Sequence, residues 1–184
     1  MLWSGAMVDE VSPAARLADG TPPLSSAELL IRLEGLDIAH RTIVHAPVFT
    51  VSESKCLQED LPGGHTKNLF LRNKKGRMWL VTCLEDRRID LKELAGRLGA
   101  GRFSFASAER LMLYLGVIPG AVTPFAVIND RGGVVDMVLD AGLLECDPLN
   151  FHPLDNAMTT AISATELLRF LEFAEHPPQI VDLD

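Results

Sequence analysis

No stretch of this 184-residue sequence is apolar for long enough to cross a bilayer; its hydrophobic runs are short and interrupted, well below the roughly 20 residues a spanning helix needs. The N-terminus lacks the charged-then-apolar order of a secretory signal. Cysteine is scarce. Cys56, Cys83 and Cys146 are odd in number and far apart, which argues against a disulfide framework and against a Cys-x-x-Cys metal site. The expected compartment is therefore a reducing cytoplasm, with no membrane partner. Familiar catalytic signatures are missing as well. There is no Gly-x-x-x-x-Gly-Lys-Ser/Thr phosphate loop, no Gly-x-Ser-x-Gly elbow, no His-Glu-x-x-His helix and no zinc-deaminase pattern. Chemistry on this chain is expected to run without a metal, without a cofactor and without an obvious side-chain nucleophile.

What is present fits one soluble domain with a real core: 47% apolar residues and 23% charged. The formal net charge of −8 argues against a nucleic-acid partner, but the distribution qualifies the sum. Between Pro62 and Met78 the chain carries Lys67, Arg72, Lys74, Lys75 and Arg77 and no acidic residue. That cluster reads either as a solvated hairpin tip or as a local landing surface for a phosphate backbone. DNA is not an expected partner, because no helix-turn-helix with a basic recognition face is visible.

Residues 1–22 carry Pro, Ala, Gly and mixed charge without periodicity and are expected to be a poorly ordered extension, with the domain spanning 23–184. Ser25 or Ser26 is placed to cap a helix with Leu29, Leu30 and Leu33 on one face, ending at Gly35. Residues 41–45 read as a strand and 52–61 as a short helix broken by Pro62-Gly63-Gly64. Residues 67–72 and 77–83 read as a hairpin around Asn73-Lys74-Lys75-Gly76. Helices are expected over 90–98 and from Ser107 to Tyr114, closed by Gly99 and Gly116. A second hairpin is expected from 124–129 and 133–139 around Asp130-Arg131-Gly132-Gly133. Residues 150–153 read as extended, and a capping box of Ser163 with Glu166 opens a last helix, with Leu167, Leu168, Phe170 and Leu171 inward. Mixed elements without strict alternation point to an α+β fold.

Three segments hold candidate functional residues. Lys67 begins a strand with Leu69 and Leu71 on one face and Asn68 and Phe70 on the other; an ammonium fixed to a strand end can anchor a phosphate or a carboxylate. The stiff loop from Gly116 to Pro124 contains Gly120, which lets a ligand approach the backbone and lets N–H groups stabilise charge on a carbonyl oxygen; an ordinary connection would look the same. His152, in Asn150-Phe151-His152-Pro153, reads as a hydrogen-bond donor, an acid or base, or a satisfied histidine beside the core. His65 reads as a loop residue, Cys83 as core, and His40, His45 and His176 show no metal-ligand spacing.

Taken in order, His65-Thr66-Lys67-Asn68-Leu69-Phe70-Leu71, Gly120-Ala121-Val122-Thr123-Pro124, Asn150-Phe151-His152-Pro153 and Thr159-Thr160-Ala161-Ile162-Ser163 resemble the YbaK-like aminoacyl-tRNA editing domains. Within that family they are most similar to the freestanding ProX/PrdX branch, associated with prolyl-tRNA synthetase, and to its alanyl-tRNA(Pro) deacylases (ProXp-ala). The resemblance runs from about residue 24 to 181. It implies an α+β domain with a mixed, barrel-like sheet flanked by helices, and trans-editing hydrolysis of mischarged aminoacyl-tRNA. The implied partners are the 3′ end of tRNA(Pro) and prolyl-tRNA synthetase. The implied catalytic positions are Lys67 as 3′-end anchor, Gly120 in the loop that holds the aminoacyl carbonyl, and His152 near the terminal ribose. Thr66, Asn68, Ala121, Thr123, Pro124 and Phe151 are the implied substrate-binding positions. Two alternatives stay open: a deacylase for serine or cysteine, and a non-catalytic tRNA- or synthetase-binding module of the same fold.

Overall fold

The computed structural model describes residues 15–47 and 61–183. Each α-helix within them starts at a side chain that takes an otherwise orphaned backbone N–H. Ser25 and Glu28 form a full capping box ahead of α1 (Ser26–Gly35). Asp90 caps α2 (Leu91–Arg97), and Ser107 caps α3 (Ala108–Leu115), which closes on Gly116 at φ 66°. Ser163 caps α4 (Ala164–Phe173). The capping box expected there is only half formed, because the Glu166 carboxylate binds the Arg169 guanidinium at 2.7 and 2.9 Å instead of reaching back to the cap.

Among the described residues eight strands form one mixed sheet: β1 (His40–Val44), β2 (Gly64–Arg72), β3 (Met78–Leu84), β4 (Ser104–Phe105), β5 (Val135–Asp140), β6 (Leu149–Phe151), β7 (Met158–Ile162) and β8 (Gln179–Val181). Their order is β1-β7-β6-β2-β3-β5-β8, with β4 paired to β2 beside that path. The expected hairpin is β2–β3, antiparallel from Thr66↔Leu84 to Arg72↔Met78. Because side chains alternate along a strand, β2 and β3 feed two cores. Phe70, Met78 and Leu80 join Leu29, Leu33, Leu111, Leu115, Phe125, Leu167, Phe170 and Leu171, so α1, α3 and α4 cover one face. Leu71, Trp79 and Val81 join Leu94, Ala95, Ala100 and Phe103, so α2 and the loop after it cover the other. The mixed sheet flanked by helices agrees with the fold class expected from sequence.

The second expected hairpin does not form. Pro124–Asn129 is a 3-10 helix, and β5 pairs in parallel with both β3 and β8. Thr123 caps the turn through Phe125 N–H, and Pro124 at its start lacks a donor that a ladder would need. Phe125, Ala126 and Val127 are consecutively buried, which a helical turn inside a core allows and a strand with one wet face does not. The packed chain also starts earlier than Pro23. Leu17 is buried, Ala18 N–H donates to the Leu113 carbonyl at 2.7 Å, and Asp19 meets Arg131 at 3.3 Å. Of the expected extension, residues 1–14 lie outside the described residues, as do Cys56 and all but the last residue of the expected 52–61 helix.

Candidate functional site

The β2–β3 hairpin places two polar side chains directly opposite each other on the face covered by α1, α3 and α4, Asn68 and Thr82. Thr82 is fully buried, and its hydroxyl donates to Asn68 Oδ1 at 2.7 Å. The amide that this orients donates from Nδ2 to the Val122 carbonyl at 2.9 Å. Asn68 is thus a strut between the sheet and the Gly116–Pro124 loop, not a free ligand on the surface. The loop turns at Gly120, whose φ of +92° favours a residue without Cβ. Ala121 N–H closes that turn on the Ile118 carbonyl at 3.0 Å. Among the described residues the Val117, Ile118, Gly120, Val122 and Thr123 N–H groups of this loop have no acceptor. Gly120, which is exposed, and Val122, which is half-buried, flank the Ala121 N–H that closes the turn and are the candidate donors to a ligand oxygen.

The β6–β7 connection approaches the same loop. A Cβ built on Gly120 would lie 3.8 Å from Asn156 Nδ2, and Asn156 follows His152 in that connection. The His152 ring faces the Met158 carbonyl through Nδ1 at 2.8 Å. A carbonyl only accepts, so Nδ1 carries the proton and Nε2 presents a lone pair. Burial drives the His152 pKa below the ordinary histidine value; the Met158 carbonyl opposes this and the nearby His45 reinforces it. His152 is therefore a neutral imidazole with an open acceptor near neutral pH. His45 stands with its ring centroid 6.3 Å from that of His152, and its Nε2 lies 2.9 Å from Thr159 Oγ1. Thr66, on the same face of β2 as Asn68, ties this region to β6 through a 3.1 Å bond to the Asn150 carbonyl. Asn150 donates to the Pro62 carbonyl at 3.1 Å, while its buried Oδ1 has no partner among the described residues.

Lys67 points to the face of β2 opposite that of Asn68. It stands across from Cys83, on the Leu69–Leu71 side of the strand, and its ammonium donates to the carbonyls of Glu85, at 2.9 Å, and Arg87. Two carbonyl dipoles solvate a cation without cancelling its charge. Cys83 beneath it is inert: burial raises its pKa to about 11, against the pull of the Lys67 cation. Ala121, Thr123, Pro124 and Phe151 are all buried. They form the packed floor of the loop and of β6, so their side chains shape the site from beneath rather than line its surface. Sequence reasoning missed Thr82, His45 and Asn156. Only Thr82 had a local signal, as the one hydroxyl in an otherwise apolar strand; the other two become visible once β1 and the β6–β7 connection are paired. Among the described residues no group of three His, Cys, Asp or Glu side chains is placed to hold a metal ion, and no helix is long and apolar enough to cross a membrane.

Residues 45–170 match the family described as the aminoacyl-tRNA editing domain. The chain is 41% identical over 162 residues to prolyl-tRNA synthetase associated domain-containing protein 1 of Xenopus laevis, covering 85% of this chain and 96% of that protein. It is 37% identical over 145 residues to the prolyl-tRNA editing protein ProX of Acetoanaerobium sticklandii, covering 78% of this chain and 88% of that one. A solved structure of a candidate trans-editing enzyme for prolyl tRNA synthetase superposes with a TM-score of 0.67 at 20% identity, covering 88% of this chain and 98% of the other. At that identity the likeness is one of fold.

Proposed function

The chain belongs to the aminoacyl-tRNA editing domain family, and from that premise we propose that it hydrolyses the ester between a wrongly attached amino acid and the terminal adenosine of a tRNA, acting in trans with alanyl-tRNA(Pro) as its main substrate. The observation that carries this reading is the approach of the β6–β7 connection, which holds a neutral, acceptor-bearing histidine, to a donor-rich glycine loop. Asn68 fixes the loop and Met158 fixes the imidazole.

An aminoacyl ester is activated, so catalysis needs a placed water and a stabilised oxyanion more than a strong nucleophile. In this reading the Gly120 and Val122 N–H groups meet the carbonyl oxygen as it gains charge. His152 Nε2 accepts a hydrogen bond from the water or from the neighbouring ribose hydroxyl. That makes His152 a positioning group first and a general base second. Asn68, through the Val122 carbonyl, keeps the donors aimed. Lys67 keeps its charge on the other side of β2, where it attracts the phosphates of the incoming 3′ end without touching the scissile bond. Thr66 and the buried Ala121, Thr123, Pro124 and Phe151 hold the walls. A tight apolar wall takes alanine and excludes the larger proline by steric clash. It rejects an added hydroxyl only weakly, by roughly 10²-fold, so serine is the expected leak.

The test is a panel of tRNAs charged with Ala, Ser, Cys and Pro. Alanine should be released from tRNA(Pro) and proline retained, with no effect of a chelator. Release of none of the four above the buffer rate would reduce the protein to a non-catalytic binding module. His152→Ala should lower kcat. A loss of about 10²- to 10⁴-fold marks proton transfer, and a smaller loss marks positioning. In the wild type the acid limb of kcat should fall below the ordinary histidine pKa, because the site needs the neutral ring.

A further inference from the structure

The basic residues at the far end of β2 are not a loose hairpin tip. Asn73 is buried and staples three pieces together. Its Oδ1 accepts the N–H groups of Lys75, at 3.0 Å, and Arg77, at 3.1 Å, and its Nδ2 donates to the Ala100 carbonyl at 2.9 Å. The β2–β3 turn and the 99–102 loop after α2 are thereby held as one surface. Between them lies a cleft of about 530 Å³ whose charged lining is Lys74, Lys75, Arg77 and Arg102, with no carboxylate. A second cleft of about 870 Å³ shares Gly99, Gly101 and Arg102 with it and adds Lys92, again with no carboxylate. Arg77 is neutralised by a two-point pair with Asp136, at 2.6 and 3.1 Å. Lys74, Lys75 and Arg102 are exposed, and among the described residues no acid pairs with them. Gly99 and Gly101 leave open space where a Cβ would stand, so a bulky ligand can reach the backbone there.

A protein of net charge −8 repels polyanions on average, so a local trough of unpaired cations is a place where one can be held. We propose that this trough binds the phosphate backbone of the base-paired stem of the RNA substrate, as a docking surface separate from the site that holds the aminoacyl end. The proposal deepens the editing reading and rests on it for the identity of the RNA. Duplex RNA fits better than a single strand. The described lining exposes no aromatic ring on which splayed bases could stack, since Trp79 is buried. Duplexes are instead held through phosphates and shape. The spacing also fits a stem rather than the reactive end. From Asn68 to the end of β2 at Arg72 is four positions, or roughly 13 Å at 3.3 Å per residue, and the turn lies beyond it.

The triple variant Lys74→Ala/Lys75→Ala/Arg102→Ala tests this with two readouts. The first is binding of uncharged tRNA against salt. Loss of three phosphate contacts should weaken binding at least tenfold and flatten the slope of log K against log salt by about 2 to 3. The second is turnover, where KM for the charged tRNA should rise at least tenfold with kcat unchanged. Turnover of an aminoacyl ester on a trinucleotide lacking the stem should be unaffected. Wild-type affinity and salt slope in the triple variant would overturn the proposal and leave an acidic protein surface as the trough's partner. A loss that is equal for the tRNA and the trinucleotide would also overturn it, because the effect would then lie at the chemical site. If the wild type hydrolyses nothing but the triple variant still loses tRNA binding, the editing reading fails and the docking surface stands.

Discussion

Removing Asn68 should cost more than removing its partner Thr82, and removing both should cost less than the sum. In Asn68→Ala the fully buried Thr82 hydroxyl and the Val122 carbonyl lose their only described side-chain partner. An orphaned buried polar group costs about 1–3 kcal/mol. Two such groups, one of them only partly buried, put the variant at about 2–4 kcal/mol by the same scale. Thr82→Val keeps the shape of the strand and orphans one lone pair of Asn68, for about 1–2 kcal/mol. In the double variant neither the Thr82 hydroxyl nor the Asn68 lone pair remains to be orphaned, which leaves only the Val122 carbonyl, at about 1–2 kcal/mol. The cycle should therefore close with a coupling of about 2–4 kcal/mol. Urea unfolding of the four proteins measures it, provided the slopes agree so that midpoints report stability. Activity supplies an independent check. Only Asn68 holds the Val122 carbonyl, so Asn68→Ala should lower kcat well below the level of Thr82→Val. Additive stabilities within about 0.5 kcal/mol, with equal losses of kcat, would refute the role of Asn68 as the strut of the loop.

Two further outcomes follow from buried contacts outside the site. His176 faces the Ala174 carbonyl at 2.7 Å and Asp130 Oδ2 at 3.0 Å; burial opposes its charge, yet these bonds raise its pKa above the ordinary value. The stability this confers should be complete below the unfolded-state pKa of about 6.5 and should fade as pH rises through the higher folded value. Melting temperature should thus fall from pH 6 to 9 in the wild type and lose that component in His176→Gln. Gly116→Ala should destabilise the protein by more than the ~1–2 kcal/mol of a left-handed residue alone, because its Cβ would sit 2.6 Å from Pro23 Cβ and 2.7 Å from Asn129 Nδ2. Wild-type thermal unfolding of that variant would contradict the packing between α3 and the residues ahead of α1.

What could be read from the sequence was what nearest neighbours decide. The capping serines, the Asn73–Gly76 turn and the closing glycines Gly99 and Gly116 all act within a few residues, and all fell where expected. The 124–129 segment failed for the converse reason. A six-residue apolar run satisfies a strand or a buried helical turn equally, and the choice was made by distant partners: Phe125 meets Phe151 and Phe170 edge-on at 5.9 and 5.1 Å. Leu17 was lost to the presumed extension because the tether beside it, from Ala18 N–H to the Leu113 carbonyl, spans almost a hundred residues. The site divides in the same way. The alternation that sends Asn68 and Lys67 to opposite faces was legible, but not which face the Gly120 loop would cover. His45 gained meaning only through Thr159, 114 positions on.

That opposition along β2 gives the two halves of the proposed activity separate physical locations. Asn68 and Thr82 look toward the loop proposed to meet the ester. Lys67 looks toward the face packed by α2, the same face whose loop builds the basic trough with Ala100 and Phe103 beneath it. In that reading the trough and the loop are held apart along β2. The field of the trough decays in solvent over the roughly 8–10 Å of a Debye length, less than the roughly 13 Å of strand from Asn68 to Arg72. Such a layout lets binding of the stem be strengthened or weakened without disturbing the geometry of hydrolysis. That separation suits an enzyme that must let correctly charged tRNA leave as readily as it lets mischarged tRNA arrive.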